Sequence, residues 1–111
     1  MPRVLLIDDD HDHASQLDHA LRERGFIVTC VADGGEASAM LRNRTTTCDL
    51  VILTMAHRSG AWLTALRDLQ EGCTQAGFLE VPQFLCVSRF HLGADLQLQI
   101  ERMGARYACE E

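Results

Sequence analysis

The run Val4-Leu5-Leu6-Ile7 is apolar at every position, and Leu50-Val51-Ile52-Leu53 repeats the pattern. Strand side chains point alternately to the two faces of a sheet, so a strand that is apolar throughout must be covered on both faces. That requirement selects a parallel sheet held between helices. Each run stops at polar residues, Asp8-Asp9-Asp10 after the first and Thr54 after the second. Two covered strands that end this way place a candidate site at the carboxyl edge of the sheet.

Helical periodicity fills the intervals. A helix is predicted over about 12–24, with Asp12 as cap, Ala14, Leu17, Ala20 and Leu21 as apolar stripe, and Gly25 as stop. Residues 26–31 form a second strand. A short helix over about 35–43 turns Ala37, Met40 and Leu41 inward, and the polar run 42–47 reads as a loop. The central strand covers 49–54. A loop over 55–60 leads to a third helix from Ala61 to about Gln75, whose stripe is Trp62, Leu63, Leu66, Leu69 and Cys73. The two glycines in 72–80 predict a long connection there. A fourth strand follows over 83–88, then a helix over 92–103 with Leu92, Leu96, Ile100 and Met103 on one face, and a fifth strand over 105–109. The order βαβαβαβαβ implies right-handed crossovers around one parallel sheet. The 111 residues carry no repeat and no linker, so 1–111 reads as a single domain.

Charge narrows the function. The net charge is −6 and the pI about 5.2, which argues against direct nucleic-acid binding. No apolar run is long enough to span a membrane, and the first residues enter a strand without a signal-peptide pattern, so a cytoplasmic protein is expected. The five cysteines are odd in number, widely spaced and lack a CxxC pair, which points to buried thiols rather than disulfides or a zinc knuckle. All ten basic side chains are arginines; there is no lysine.

At this point the chain resembles the receiver domain of bacterial two-component response regulators. The resemblance rests on Val4–Asp10 with its acidic end, on Gly25-Phe26-Ile27-Val28-Thr29 followed by Ala32-Asp33-Gly34-Gly35-Glu36-Ala37, on Asp49-Leu50-Val51-Ile52-Leu53, on the strand ending in Ser88, and on Gly104-Ala105. It implies a flavodoxin-like, doubly wound α/β fold with a five-stranded sheet of order 2-1-3-4-5. It also implies phosphoryl transfer from a histidine kinase to an aspartate ending the third strand. There an acidic pair and that aspartate hold Mg²⁺, and a hydroxyl residue and a lysine bind the phosphoryl group.

Carried over by position, Asp8 and Asp9 match the acidic pair and Ser88 matches the hydroxyl, but Thr54 stands at the phosphoacceptor. A threonine hydroxyl is a poor nucleophile without a base and gives the metal no carboxylate. The lysine position falls on Glu111, or on Glu110 if the last strand carries a one-residue deletion; the same choice makes the switch aromatic position Ala108 or Tyr107. A carboxylate there would repel phosphate and add to the field of Asp8 and Asp9, since like charges about 4 Å apart cost roughly 4 kcal/mol at an effective dielectric of about 20. The expectation is a remnant acidic pocket with no cofactor, or Mg²⁺ held weakly by Asp8 and Asp9. His11 and His13 are expected to be solvated, Ser88 to bond nearby backbone, and Arg89 to offset Asp8 or Asp9.

The resemblance also implies a fifth helix that this sequence lacks, which predicts exposed apolar sheet surface or a partner covering it. The reading is a phosphorylation-independent, pseudo-receiver regulatory or protein-interaction domain, not an enzyme. It is expected to serve a signalling or transcription regulator, with a protein partner or a C-terminal output domain, or a homodimer through the fourth helix and fifth strand. Two alternatives stand beside it: a working receiver with Asp49 or Asp10 as displaced acceptor, and a phosphohydrolase of the haloacid dehalogenase type built on Asp8-x-Asp10. The second lacks the lysine that such a pocket needs.

Overall fold

β-branched and leucine side chains at both strand parities build the sheet, and a computed structural model shows it directly. The described residues are 2–43, 47–55, 61–78 and 81–110. They form β1 (Arg3–Ile7), α1 (His11–Glu23), β2 (Ile27–Val31), α2 (Gly34–Arg42), β3 (Leu50–Met55), α3 (Ala61–Gln75), β4 (Gln83–Ser88), α4 (Ala94–Arg102) and β5 (Arg106–Cys109). All pairings are parallel, in the order β2-β1-β3-β4-β5. This is the expected doubly wound topology, with four helices.

Strand alternation sorts the core into two layers. Leu5 and Ile7 of β1, Val51 and Leu53 of β3, and Phe84 and Cys86 of β4 face one side. There Ala37 and Leu41 of α2, Leu66, Leu69 and Cys73 of α3, and Ile100 of α4 cover them. Val4, Leu6, Val28, Ile52 and Val87 face the other side, against Leu17 and Leu21 of α1. Three helices thus serve one face and one the other. The thinner face is less open than the absent fifth helix predicts: Ile52 and Val87 are 5% and 9% exposed, while Leu50 and Leu85 are half-buried. They pack with Leu6, Val28 and the α1 leucines in one cluster.

Several boundaries differ from expectation for local reasons. Asp10, not Asp12, caps α1, because its carboxylate accepts the His13 amide at 3.2 Å. Arg42 belongs to α2 rather than to a loop, and its guanidinium donates to Ser38 Oγ at 3.1 Å and Asp68 Oδ1 at 2.8 Å. The residues predicted to begin a long connection, Gly72 and Cys73, lie inside α3. Gly72 is buried where α3 crosses α2; a Cβ there would lie 3.4 Å from Arg42 Cγ and 3.5 Å from Ser38 Oγ. The glycine therefore serves helix contact rather than chain termination. The loop over 56–60, the side chain of Trp62 and residue Glu111 lie outside the described residues.

Candidate functional site

The carboxyl ends of β1, β3 and β4 meet the residue after β5. At the end of β1 the Asp8 amide still donates to Val31 O at 3.0 Å, which holds Asp8 in line with the sheet. Its carboxylate turns inward and its side chain is 0% exposed. Asp8 Oδ1 accepts the Asp10 amide at 2.9 Å, closing a tight turn. Asp10 then caps α1 and pairs through Oδ2 with Arg89 Nη1 at 2.9 Å. The His13 amide and, after it, the Arg89 guanidinium hold the Asp10 carboxyl below its ordinary value. Arg89 thus pairs with Asp10, the neighbour of the Asp8 and Asp9 it was expected to offset.

The cap aims the first turn of α1 back over the strand ends. His13, the third residue of the helix, places Nδ1 in a hydrogen bond with Asp8 Oδ2 and Nε2 at 2.9 Å from both carboxylate oxygens of Glu110. A carboxylate only accepts hydrogen bonds, so a ring held between two of them donates from both nitrogens and is an imidazolium. Burial alone would lower the His13 pKa, but the hydrogen bonds and charges of Asp8 and Glu110 outweigh it and raise the pKa above the ordinary histidine value. His13 is 12% exposed and Glu110 35%. Two expectations are corrected here. His13 is not a solvated helix-start residue, and Glu110 does not add an uncompensated charge to Asp8. His11 and Asp9 are exposed.

At the end of β3 the Thr54 hydroxyl donates to the Ile7 carbonyl of β1 at 2.9 Å. At the end of β4 Ser88 is fully buried. Its hydroxyl donates to the Phe90 carbonyl and meets Tyr107 OH at 2.9 Å. With its own proton spent on Phe90, Ser88 accepts from Tyr107, whose oxygen in turn accepts the Leu92 amide at 3.3 Å. Tyr107 and Glu110, rather than Ala108, are the β5-end residues that reach these groups. The alternative acceptors sit elsewhere: Asp49 accepts the Arg3 amide at 2.8 Å, at the opposite end of the sheet, and Asp10 is committed to the cap and to Arg89.

The pocket does not fit the Mg²⁺ that the resemblance implies. Magnesium needs several oxygens in near-octahedral array. Both Asp8 oxygens are already bonded, one of them to a cationic ring, and Thr54 turns its hydroxyl proton to Ile7 instead of offering a carboxylate. Among the described residues no cluster of three His, Cys, Asp or Glu side chains could hold a metal ion. The sequence signal for His13 lay in the change at the lysine position. A glutamate at the end of the last strand calls for a cation, and the first turn of α1 carries His11 and His13.

No family model matches the chain. A curated relative, the transcriptional regulatory protein PrrA of Mycobacterium leprae (strain TN), is 50% identical over 46 residues, 41% of this chain and 18% of that protein. The match therefore spans less than a fifth of the relative's length. Among solved structures, a LuxR-family two-component response regulator from Aurantimonas sp. SI85-9A1 superposes with TM-score 0.79 at 23% identity, over 100% of this chain and 75% of that one. The response regulator TrrA of Thermotoga maritima, in complex with Mg²⁺-BeF, superposes with TM-score 0.72 at 18% identity, over 100% of this chain and 88% of that one. The fold is that of response-regulator receiver domains. Among the described residues no helix is long and apolar enough to cross a membrane.

Proposed function

We propose that this chain is a receiver domain of a two-component-type regulator that works without phosphorylation. It would act in the cytoplasm as a non-enzymatic regulatory or interaction module that answers to a partner or to an attached output domain. The observation that carries this reading is the Thr54 hydroxyl bonded to Ile7 O, where the resemblance places the acceptor aspartate. Among the described residues no base pairs with the hydroxyl, and its proton is committed to backbone. Glu110, which takes the lysine position if the last strand carries a one-residue deletion, supports the same reading, since a carboxylate there repels a phosphoryl group.

Signalling of this kind depends on a partner that binds one conformation better than another. The exposed Leu98 on α4, 46% accessible, with the exposed Arg106 and Ala108 of β5, marks the face we assign to partner contact, or to a homodimer. The net charge of −6 supports a protein partner rather than nucleic acid. Incubation with acetyl phosphate and Mg²⁺, followed by intact mass, tests the proposal. The expected spectrum is unmodified protein. An adduct of one phosphoryl group would overturn the reading and favour a displaced acceptor. Turnover of a chromogenic phosphate ester would favour the phosphohydrolase instead.

A further inference from the structure

We propose that the His13 ring fills the place a metal ion would take in this pocket, bridging the ends of β1 and β5, and that it keeps divalent cations out. The inference deepens the phosphorylation-independent reading and rests on it for the meaning of the two positions. The geometry is its own warrant. One ring reaches Asp8, which the resemblance assigns to the metal, and Glu110, which stands for the lysine. Its two nitrogens leave the ring in different directions and each is taken by a carboxylate. The ring is therefore a bridge between them and cannot serve with both as a chelator of one ion.

A divalent ion at Asp8 would have to displace the ring. Asp8 is closed to solvent, its second oxygen holds the turn through the Asp10 amide, and the ring already occupies the first. Nor would Thr54 reward the entry, because its hydroxyl oxygen is directed at Ile7 O. The ring is supplied by α1 itself, through the Asp10 cap that orients the first turn.

The test is a Mn²⁺ titration of ¹⁵N-labelled protein, read as paramagnetic broadening of the amides around Asp8, for the wild type, H13A and H13Q. The wild type is expected to show no saturable broadening up to about 10 mM, the weak end of carboxylate cation sites. Removal of the ring frees Asp8 Oδ2 and the Glu110 carboxylate, and H13A is expected to bind Mn²⁺ at least about tenfold more tightly. Saturable binding by the wild type would overturn the proposal, and so would a variant that binds no better than wild type. The acetyl phosphate experiment stays separate. An adduct there removes the phosphorylation-independent reading, whereas Mn²⁺ binding by the wild type removes the bridge.

Discussion

Replacing His13 with alanine isolates the bridge as a stability element. Asp8 is fully buried and would keep one donor, the Asp10 amide. Removing one member of a buried ion pair costs about 3–5 kcal/mol, because the other charge stays desolvated. The retained amide bond offsets about 1 kcal/mol of that. The Glu110 arm is 35% exposed and can turn to water, so it adds only about 0.2–1 kcal/mol. The expected loss is about 2–5 kcal/mol at about pH 6, a large part of the stability of a domain this size. Urea unfolding followed by circular dichroism measures it. The pH dependence has a definite sign. His13 has a raised folded-state pKa, so its contribution is complete below the unfolded value of about 6.5 and fades as pH rises through the folded value. The gap between wild type and H13A should therefore be widest near about pH 6 and narrow toward about pH 9. It should not vanish, because a neutral ring still donates from Nδ1 to Asp8 while its bare Nε2 meets the Glu110 carboxylate unfavourably. A loss below about 0.5 kcal/mol at about pH 6, or a gap that widens with pH, would refute the reasoning.

Other substitutions probe the remaining strand ends. Thr54→Val keeps the shape but leaves Ile7 O without its side-chain donor, and should cost about 1 kcal/mol in urea unfolding; an unchanged midpoint would show the bond to be idle. Tyr107→Phe removes the hydroxyl shared by Ser88 and the Leu92 amide, and should cost about 1–2 kcal/mol while speeding hydrogen exchange at Leu92. Cys48 and Cys86, whose thiols burial pushes up to about 12, should stay unlabelled by a thiol reagent at about pH 8 until urea is added. The exposed Cys30 should label in the native protein even though its pKa is also raised. Rapid native labelling of Cys86 would contradict its burial.

The strands were legible because their signal is local. Val4–Ile7 and 50–53 are apolar at both parities, and only a doubly covered parallel strand accommodates that. Helix ends were legible less often. Gly25 and Gly104, at φ 92° and 83°, stop α1 and α4 as glycine should, but Gly72 reads the same way in sequence and instead serves a helix crossing. The acidic pair, Ser88 and the loss of lysine were visible as residues in order. The partner of Glu110 was not, because 97 residues separate it from His13.

By itself, then, the sequence determined the alternating strand and helix pattern, and with it which residues stand at the strand ends. It determined too that position 54 carries a hydroxyl and that no lysine is available. Only the tertiary structure decided what those residues do to one another. The Asp10 cap turns α1 so that His13 lies between Asp8 and Glu110, and the parallel register brings Thr54 to Ile7 O and Tyr107 to Ser88. The physical reason is range. Strand and helix preferences act over a few residues, whereas a buried carboxylate is stabilised by whatever cation the fold carries to it, from any distance along the chain.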